Sequence, residues 1–129
     1  MSLIAQVKQE IDTVLDLVDE TQLDAVAPLL TKEKRIFVLG AGRSGLMARA
    51  FAMRLMHIGY TPYVIGETIT PSVQAGDVLV AVSGSGNTKS IVELTEKAKQ
   101  NGAEIIAVTS NANSCLLYTS DAADELDGV

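Results

Sequence analysis

Four short apolar runs, separated by stretches of helical length and each closed by a turn rich in glycine, serine or asparagine, constrain this chain most. They fall at residues 35–39 (Arg-Ile-Phe-Val-Leu), 61–65, 78–82 and 104–109, and they are largely apolar and β-branched with no strict alternation. A strand apolar on every residue is buried on both faces, as in a parallel sheet covered by helices. Residues 46–58 and 88–100 have helical length, and Gly59 and Asn101-Gly102 stop them. Strands alternating with such helices predict βαβ units with right-handed crossovers, hence an α/β, three-layer αβα sandwich of flavodoxin-like or Rossmann-like type. Pro62, near the start of its run, is tolerable there.

Two helices are expected ahead of the first strand. Leu3, Ile4, Val7, Ile11, Val14, Leu15 and Val18 recur at helical spacing over residues 1–18. A second, shorter helix is expected near Thr21, with Thr21 as its cap and with Leu23, Val26, Leu29 and Leu30 on one side. Pro28 should kink it or end it early.

At 129 residues the chain is one domain. Four of its 16 acids crowd into the last nine residues, and residues 1–120 carry a net of only −2. The body is therefore near neutral and the acidity belongs to the tail. With no basic stripe and five aromatic residues, nucleic acid is not an expected partner. No apolar run reaches the roughly 20 residues a membrane helix needs. No leader pattern opens the chain, so the cytoplasm is the expected location. A single cysteine, Cys115, forms no internal disulfide, and with one histidine no ordinary zinc site is expected.

In open parallel sheets, ligands bind at the carboxyl ends of the strands. That rule places residues 40–45, 66–72, 83–88 and 109–113 along one rim. The stronger motif there is Ser83-Gly84-Ser85-Gly86-Asn87-Thr88, between a strand and a helix. Its glycines permit close backbone approach, the helix start supplies N–H groups and a positive dipole end, and its hydroxyls donate without fixed charge. No lysine follows the last glycine, so it is not a nucleoside triphosphate loop. A phosphate monoester on a small metabolite suits it; a tight turn with a hydroxyl cap is the plainer reading. The second motif, Gly40-Ala41-Gly42-Arg43-Ser44-Gly45, fits the G-x-G-x-x-G dinucleotide pattern, with Glu67 as a conceivable ribose acid. Yet Glu67 stands 27 residues beyond Gly40, farther than the about 20 usual for that role. Close packing of turn on sheet also explains these glycines.

These blocks, with Phe51-Ala52-Met53-Arg54-Leu55-Met56-His57-Ile58-Gly59 and Gly66-Glu67-Thr68-Ile69-Thr70-Pro71, resemble the sugar isomerase (SIS) domain family, nearest its 6-phospho-3-hexuloisomerase branch. The resemblance covers about residues 1–115 of a single SIS domain. It implies that Ser83, Gly84, Ser85, Gly86, Asn87 and Thr88 hold a sugar phosphate, that Ser44 contacts it, and that 3-hexulose 6-phosphate and fructose 6-phosphate are interconverted. It further implies a homotetramer, no metal, no organic cofactor, and a glutamate base that follows a Gly-Thr-x-Phe type segment after a fifth strand. No such segment occurs in this sequence. Residues 116–129 are atypical, and the fold is expected to be incomplete at the C-terminus, the tail being a truncation or assembly artefact; the alternative is a divergent terminal helix over 122–126.

Other residues carry open readings. Glu67 orients a sugar hydroxyl or caps its own loop. His57, near a helix end, is a dipole or packing residue, or, by resemblance, the catalytic residue of sugar ring opening across a subunit contact. Arg43 attracts the phosphate or faces solvent. Arg49 and Arg54 are expected on a solvated or subunit-facing side, and Cys115 is expected to be unreactive. The expected partner is a small-molecule sugar phosphate and a second copy of the chain. Two other functions stay in play: a noncatalytic phosphosugar-sensing module and a dinucleotide oxidoreductase domain.

Overall fold

The computed structural model of the chain describes residues 2–111, 113–116, 120 and 122–125. Five parallel strands, β1 (Arg35–Gly40), β2 (Thr61–Val64), β3 (Val78–Val82), β4 (Glu104–Thr109) and β5 (Ala122–Glu125), form one sheet in the order β2-β1-β3-β4-β5. The register runs Ile36 beside Val78 and Val78 beside Glu104, so the three central strands come level at Gly40, Val82 and Val108, with β4 running one residue farther to Thr109.

Helices cover both faces, which is why the strands are apolar throughout. On one face Ile36, Val38, Val78, Val80 and Ile106 pack with Ala48, Ala52 and Leu55 of α3 (Gly42–His57). On the other, Phe37, Leu39, Leu79, Ile105 and Ala107 pack with Ile91 and Ala98 of α4 (Lys89–Gln100) and with Leu116. Phe37 stacks on Tyr63 at 5.2 Å between ring centres. Each fully buried Ile, Leu, Val or Phe contributes about 1.5–3 kcal/mol by leaving water. This is the three-layer α/β architecture that the continuous apolar runs predict.

Four local details differ from the sequence expectation, and a fifth, the early end of α2 at Pro28, follows it. Helix α2 (Glu20–Val26) is capped by Asp19, not Thr21: the Asp19 carboxylate accepts from the Thr21 N–H at 2.9 Å, a stronger acceptor than a hydroxyl. These hydrogen bonds hold its carboxyl below the usual carboxylate range. Pro28 ends α2 early, in a 3-10 turn over Ala27–Leu29. Helix α3 starts at Gly42 rather than Leu46, because Gly40 and Gly45 pack backbone to backbone and leave no room for a loop. Residues 122–125, expected at most as part of a helix over 122–126, are instead a strand paired with β4, where ladder hydrogen bonds outweigh the helical preference of alanine and glutamate. Leu126 and residues 127–129 lie outside the described residues. Finally α1 (Leu3–Leu15), amphipathic as expected, buries none of its residues.

At the amino ends of the strands, Arg35 forks onto Asp77, Nε to Oδ1 at 2.9 Å and Nη2 to Oδ2 at 2.6 Å. Burial raises the Asp77 carboxyl, but the Arg35 hydrogen bond, the Gln74 N–H and the Arg35 charge outweigh it and hold the group below its ordinary value. This pair ties β1 to the β2–β3 loop on the side away from the ligand rim.

Candidate functional site

β1 leads through α3 to β2 on one side, and β3 lies on β1's other side, with α3 and α4 on opposite faces. The chain therefore reverses direction between β1 and β3, the point at which open α/β sheets form a crevice at their carboxyl ends. The two glycine-bearing turns leave β1 and β3 directly at that crevice. A cavity of about 930 Å³ opens there, lined at the rim by Arg43, Ser44, Gly84, Thr109 and Ser110. Below them its wall is apolar, from Leu23, Val26 and Leu30 through Met47 and Phe51 to Val80 and Ile106.

The turn after β3 is built from its own side chains. Ser83 is buried, and its Oγ accepts from the Gly86 N–H at 3.1 Å and lies 3.1 Å from the Thr88 hydroxyl. The Ser85 Oγ accepts from the Asn87 N–H at 3.1 Å. Gly86 adopts φ of +70° and is pressed so closely that a Cβ there would sit 2.2 Å from Ser114. Gly84, in contrast, has open space around it. The Asn87 Oδ1 accepts from the Cys115 N–H at 3.0 Å, which joins the turn to the segment after β4.

The helix starts at this rim differ from those elsewhere. Helix α1 is capped by the Ser2 hydroxyl and α2 by the Asp19 carboxylate. Helices α3 and α4, which begin at the crevice, have no side-chain cap: Ala41 has no acceptor to give, and the Thr88 hydroxyl faces Ser83. Uncapped first-turn N–H groups and the positive ends of two helix dipoles thus converge on one crevice, an arrangement that favours an anion. Arg43 adds a cation at the mouth, and among the described residues no carboxylate lines the cavity.

The structure brings Arg43, Ser44 and Gly84 to this cavity, with Ser85 and Asn87 exposed on the adjoining turn. Ser83, Gly86 and Thr88 hold the turn's shape. Glu67 is elsewhere: with Thr70, Lys97 and Asn101 it lines a second cleft of about 290 Å³ beside the exit of β2. It therefore does not join the 40–45 turn as a ribose acid would. His57 ends α3, about 22 Å along the axis from Gly42, at the opposite end of the sheet. Thr109 and Ser110 line the cavity but belong to no motif singled out as a site; their position at the end of an apolar run was the only signal. Among the described residues no three His, Cys, Asp or Glu side chains gather as a metal site would require, and no helix is long and apolar enough to cross a membrane.

Comparison with known proteins bears on the family and the fold. The SIS domain model matches residues 29–124, reaching into the acidic tail. The 3-hexulose-6-phosphate isomerase of Mycobacterium gastri is 44% identical over 119 residues, which are 92% of this chain and 60% of that protein. A crystal structure from Methanococcus jannaschii, described as inferring a molecular function of 3-hexulose-6-phosphate isomerase, superposes with a TM-score of 0.77 at 40% identity, over 83% of this chain and 60% of that one. Another, of a protein described only as hypothetical, gives a TM-score of 0.89 at 43% identity, over 98% of this chain and 67% of that one. The chain thus spans 42–64% of the length of the curated relatives it matches.

Proposed function

The chain belongs to the SIS domain family, and on that premise we propose that it is the phosphosugar-holding part of an isomerase interconverting 3-hexulose 6-phosphate and fructose 6-phosphate. The observation that carries the reading is the convergence of the 83–88 turn, the uncapped start of α4 and Ser44 on one crevice. The relatives named 3-hexulose-6-phosphate isomerase support the choice of substrate.

The phosphate would sit on the N–H groups and hydroxyls of residues 83–88, with Ser44 and Arg43 opposite and the sugar lying along the cavity. Isomerisation then moves one proton from C2 to C3 through an enediol, and the carbonyl passes from C3 to C2 with no net oxidation. Hydroxyls and backbone N–H groups at the rim are suited to the enediolate oxygen. The proton carrier is a carboxylate, and we place it outside the described residues, since Glu67 lines the other cleft. His57, at the far end of α3, would serve ring opening only in a neighbouring copy's crevice, and the exposed apolar stripe of α1 supports a homo-oligomer. This chain by itself is expected to bind the sugar phosphate and not to turn it over.

That no carboxylate of the described residues lines the cavity favours one further reading, a noncatalytic phosphosugar-binding module. Calorimetric titration with fructose 6-phosphate, fructose and NADH tests the shared ground. Binding of fructose 6-phosphate alone is expected; NADH binding with no sugar-phosphate signal would sink both readings. Turnover by a chain extended to the relatives' length separates the isomerase from the module.

A further inference from the structure

We propose that Ser110 and Asn111, on the segment leaving β4, are positioning residues for the phosphate turn: they hold its carbonyl oxygens away from the crevice, so that the Ser85 N–H, the one not taken up by the turn's own hydroxyls as those of Gly86 and Asn87 are, faces the ligand. The proposal rests on the phosphosugar reading above.

The Gly84 carbonyl accepts from the Ser110 N–H at 3.1 Å, the Ser110 hydroxyl at 2.6 Å and the Thr109 hydroxyl at 3.3 Å. The next carbonyl, of Ser85, accepts from the Asn111 side-chain amide at 3.0 Å. The third, of Gly86, accepts from the Leu116 N–H at 3.0 Å. Three successive carbonyls of the turn are thus bound by one segment. Asn111 is itself fixed, its N–H on the Thr109 hydroxyl at 3.2 Å and its Oδ1 accepting from Asn113 at 3.1 Å.

The need for such a clamp follows from the glycines. Nothing lies within 4 Å of where a Gly84 Cβ would stand, so packing does not fix the Gly84–Ser85 peptide. A glycine there lets that peptide rotate cheaply. In a trans peptide the N–H and C=O point to opposite sides. Anchoring the Gly84 oxygen toward β4 therefore turns the Ser85 N–H away from β4, to the side where β1 and Ser44 lie. A rotated peptide would present a carbonyl oxygen to the phosphate instead, exchanging attraction for repulsion.

Asn111 lines neither cleft, so its removal deletes no direct contact with a ligand there. The test measures binding of inorganic phosphate and fructose 6-phosphate to the whole chain and to Asn111→Ala, Ser110→Ala and Ser110→Thr. Amide spectra follow Ser85, and thermal melts follow stability. Losing one clamp bond is expected to weaken both ligands about tenfold at an unchanged melting midpoint, with the phosphate-induced shift of the Ser85 amide diminished. Ser110→Thr, which keeps the hydroxyl, should bind as the parent does. If the parent binds neither ligand, the phosphosugar reading falls and the clamp with it. If the parent binds and both alanine variants bind equally well, the clamp alone is overturned. Weakened binding that tracks a lowered melting midpoint also overturns it, since the role is then structural.

Discussion

The two glycine-bearing turns at the crevice look alike in sequence and use their glycines for opposite ends. In the 40–45 turn, a Cβ on Gly40 would stand 2.9 Å from the Gly45 nitrogen, and one on Gly45 would stand 2.9 Å from the Gly40 oxygen. Those glycines are small so that strand and helix can touch, and Gly42, at φ of +57°, makes the corner between them. In the 83–88 turn the work is divided. Gly86 is packed against Ser114 and Thr109, whereas Gly84 faces open space with its carbonyl tied down. Gly84, which nothing crowds and which needs no left-handed φ, is there for something not covalently part of the chain, or for rotation that must be restrained. Spacing alone does not tell the two uses apart; a Cβ placed on each one does.

The sharpest way to break the comparison is Gly86→Ala against Gly84→Ala. The first combines a left-handed φ with a clash into Ser114 and should cost about 3 kcal/mol, enough to threaten folding. The second should change stability by less than about 0.5 kcal/mol in urea unfolding. Equal effects would mean that the turn has no packed and open sides. Next in size is Gly45→Ala, where backbone meets backbone and neither can yield: a loss of about 2 kcal/mol is expected, on the same measurement. Smaller again is the serine pair. Ser83→Ala strips the Gly86 N–H of its acceptor and should cost about 1 kcal/mol of stability, while the exposed Ser85→Ala should act on phosphosugar affinity with stability kept.

The smallest effect lies at the far rim and marks off what the turns do not control. The Asp77 carboxyl is held below its unfolded value by Arg35 and the Gln74 N–H against the burial that raises it. Its stabilisation is therefore complete above the unfolded value near 3.8 and drains away as pH falls through the lower folded value, where the unfolded chain binds the extra proton. Acid unfolding curves should show this loss, and Asp77→Asn should remove that part of the pH dependence. The turn variants should keep it unchanged.

Much of the fold was legible because its signals are local. Val78, Leu79, Val80, Ala81 and Val82 read as a strand buried on both faces, and all but Val82 are buried. Gly59 and Asn101-Gly102 stopped α3 and α4 as expected, with φ of +92° at Gly59 and +94° at Gly102. The four strand ends and their rim followed from alternation with helices. The candidate site was legible only as far as its motifs: Arg43, Ser44 and Gly84 share the cavity, but Ser110 and Asn111 carry no pattern, since serine and asparagine after a strand are ordinary loop residues.

Sequence by itself determined the kind and order of the elements from β1 to β4 and which turns meet the crevice, because periodicity, glycine spacing and apolar runs express contacts between near neighbours. The tertiary structure alone decided that 122–125 pairs with β4, that Glu67 faces another cleft from Ser44, and that Gly86 is locked by a serine in a different loop. Those outcomes depend on which strands lie side by side and on how far a helix carries its last residue. Both are set by crossovers and packing between residues distant in the chain, where local propensity has no purchase.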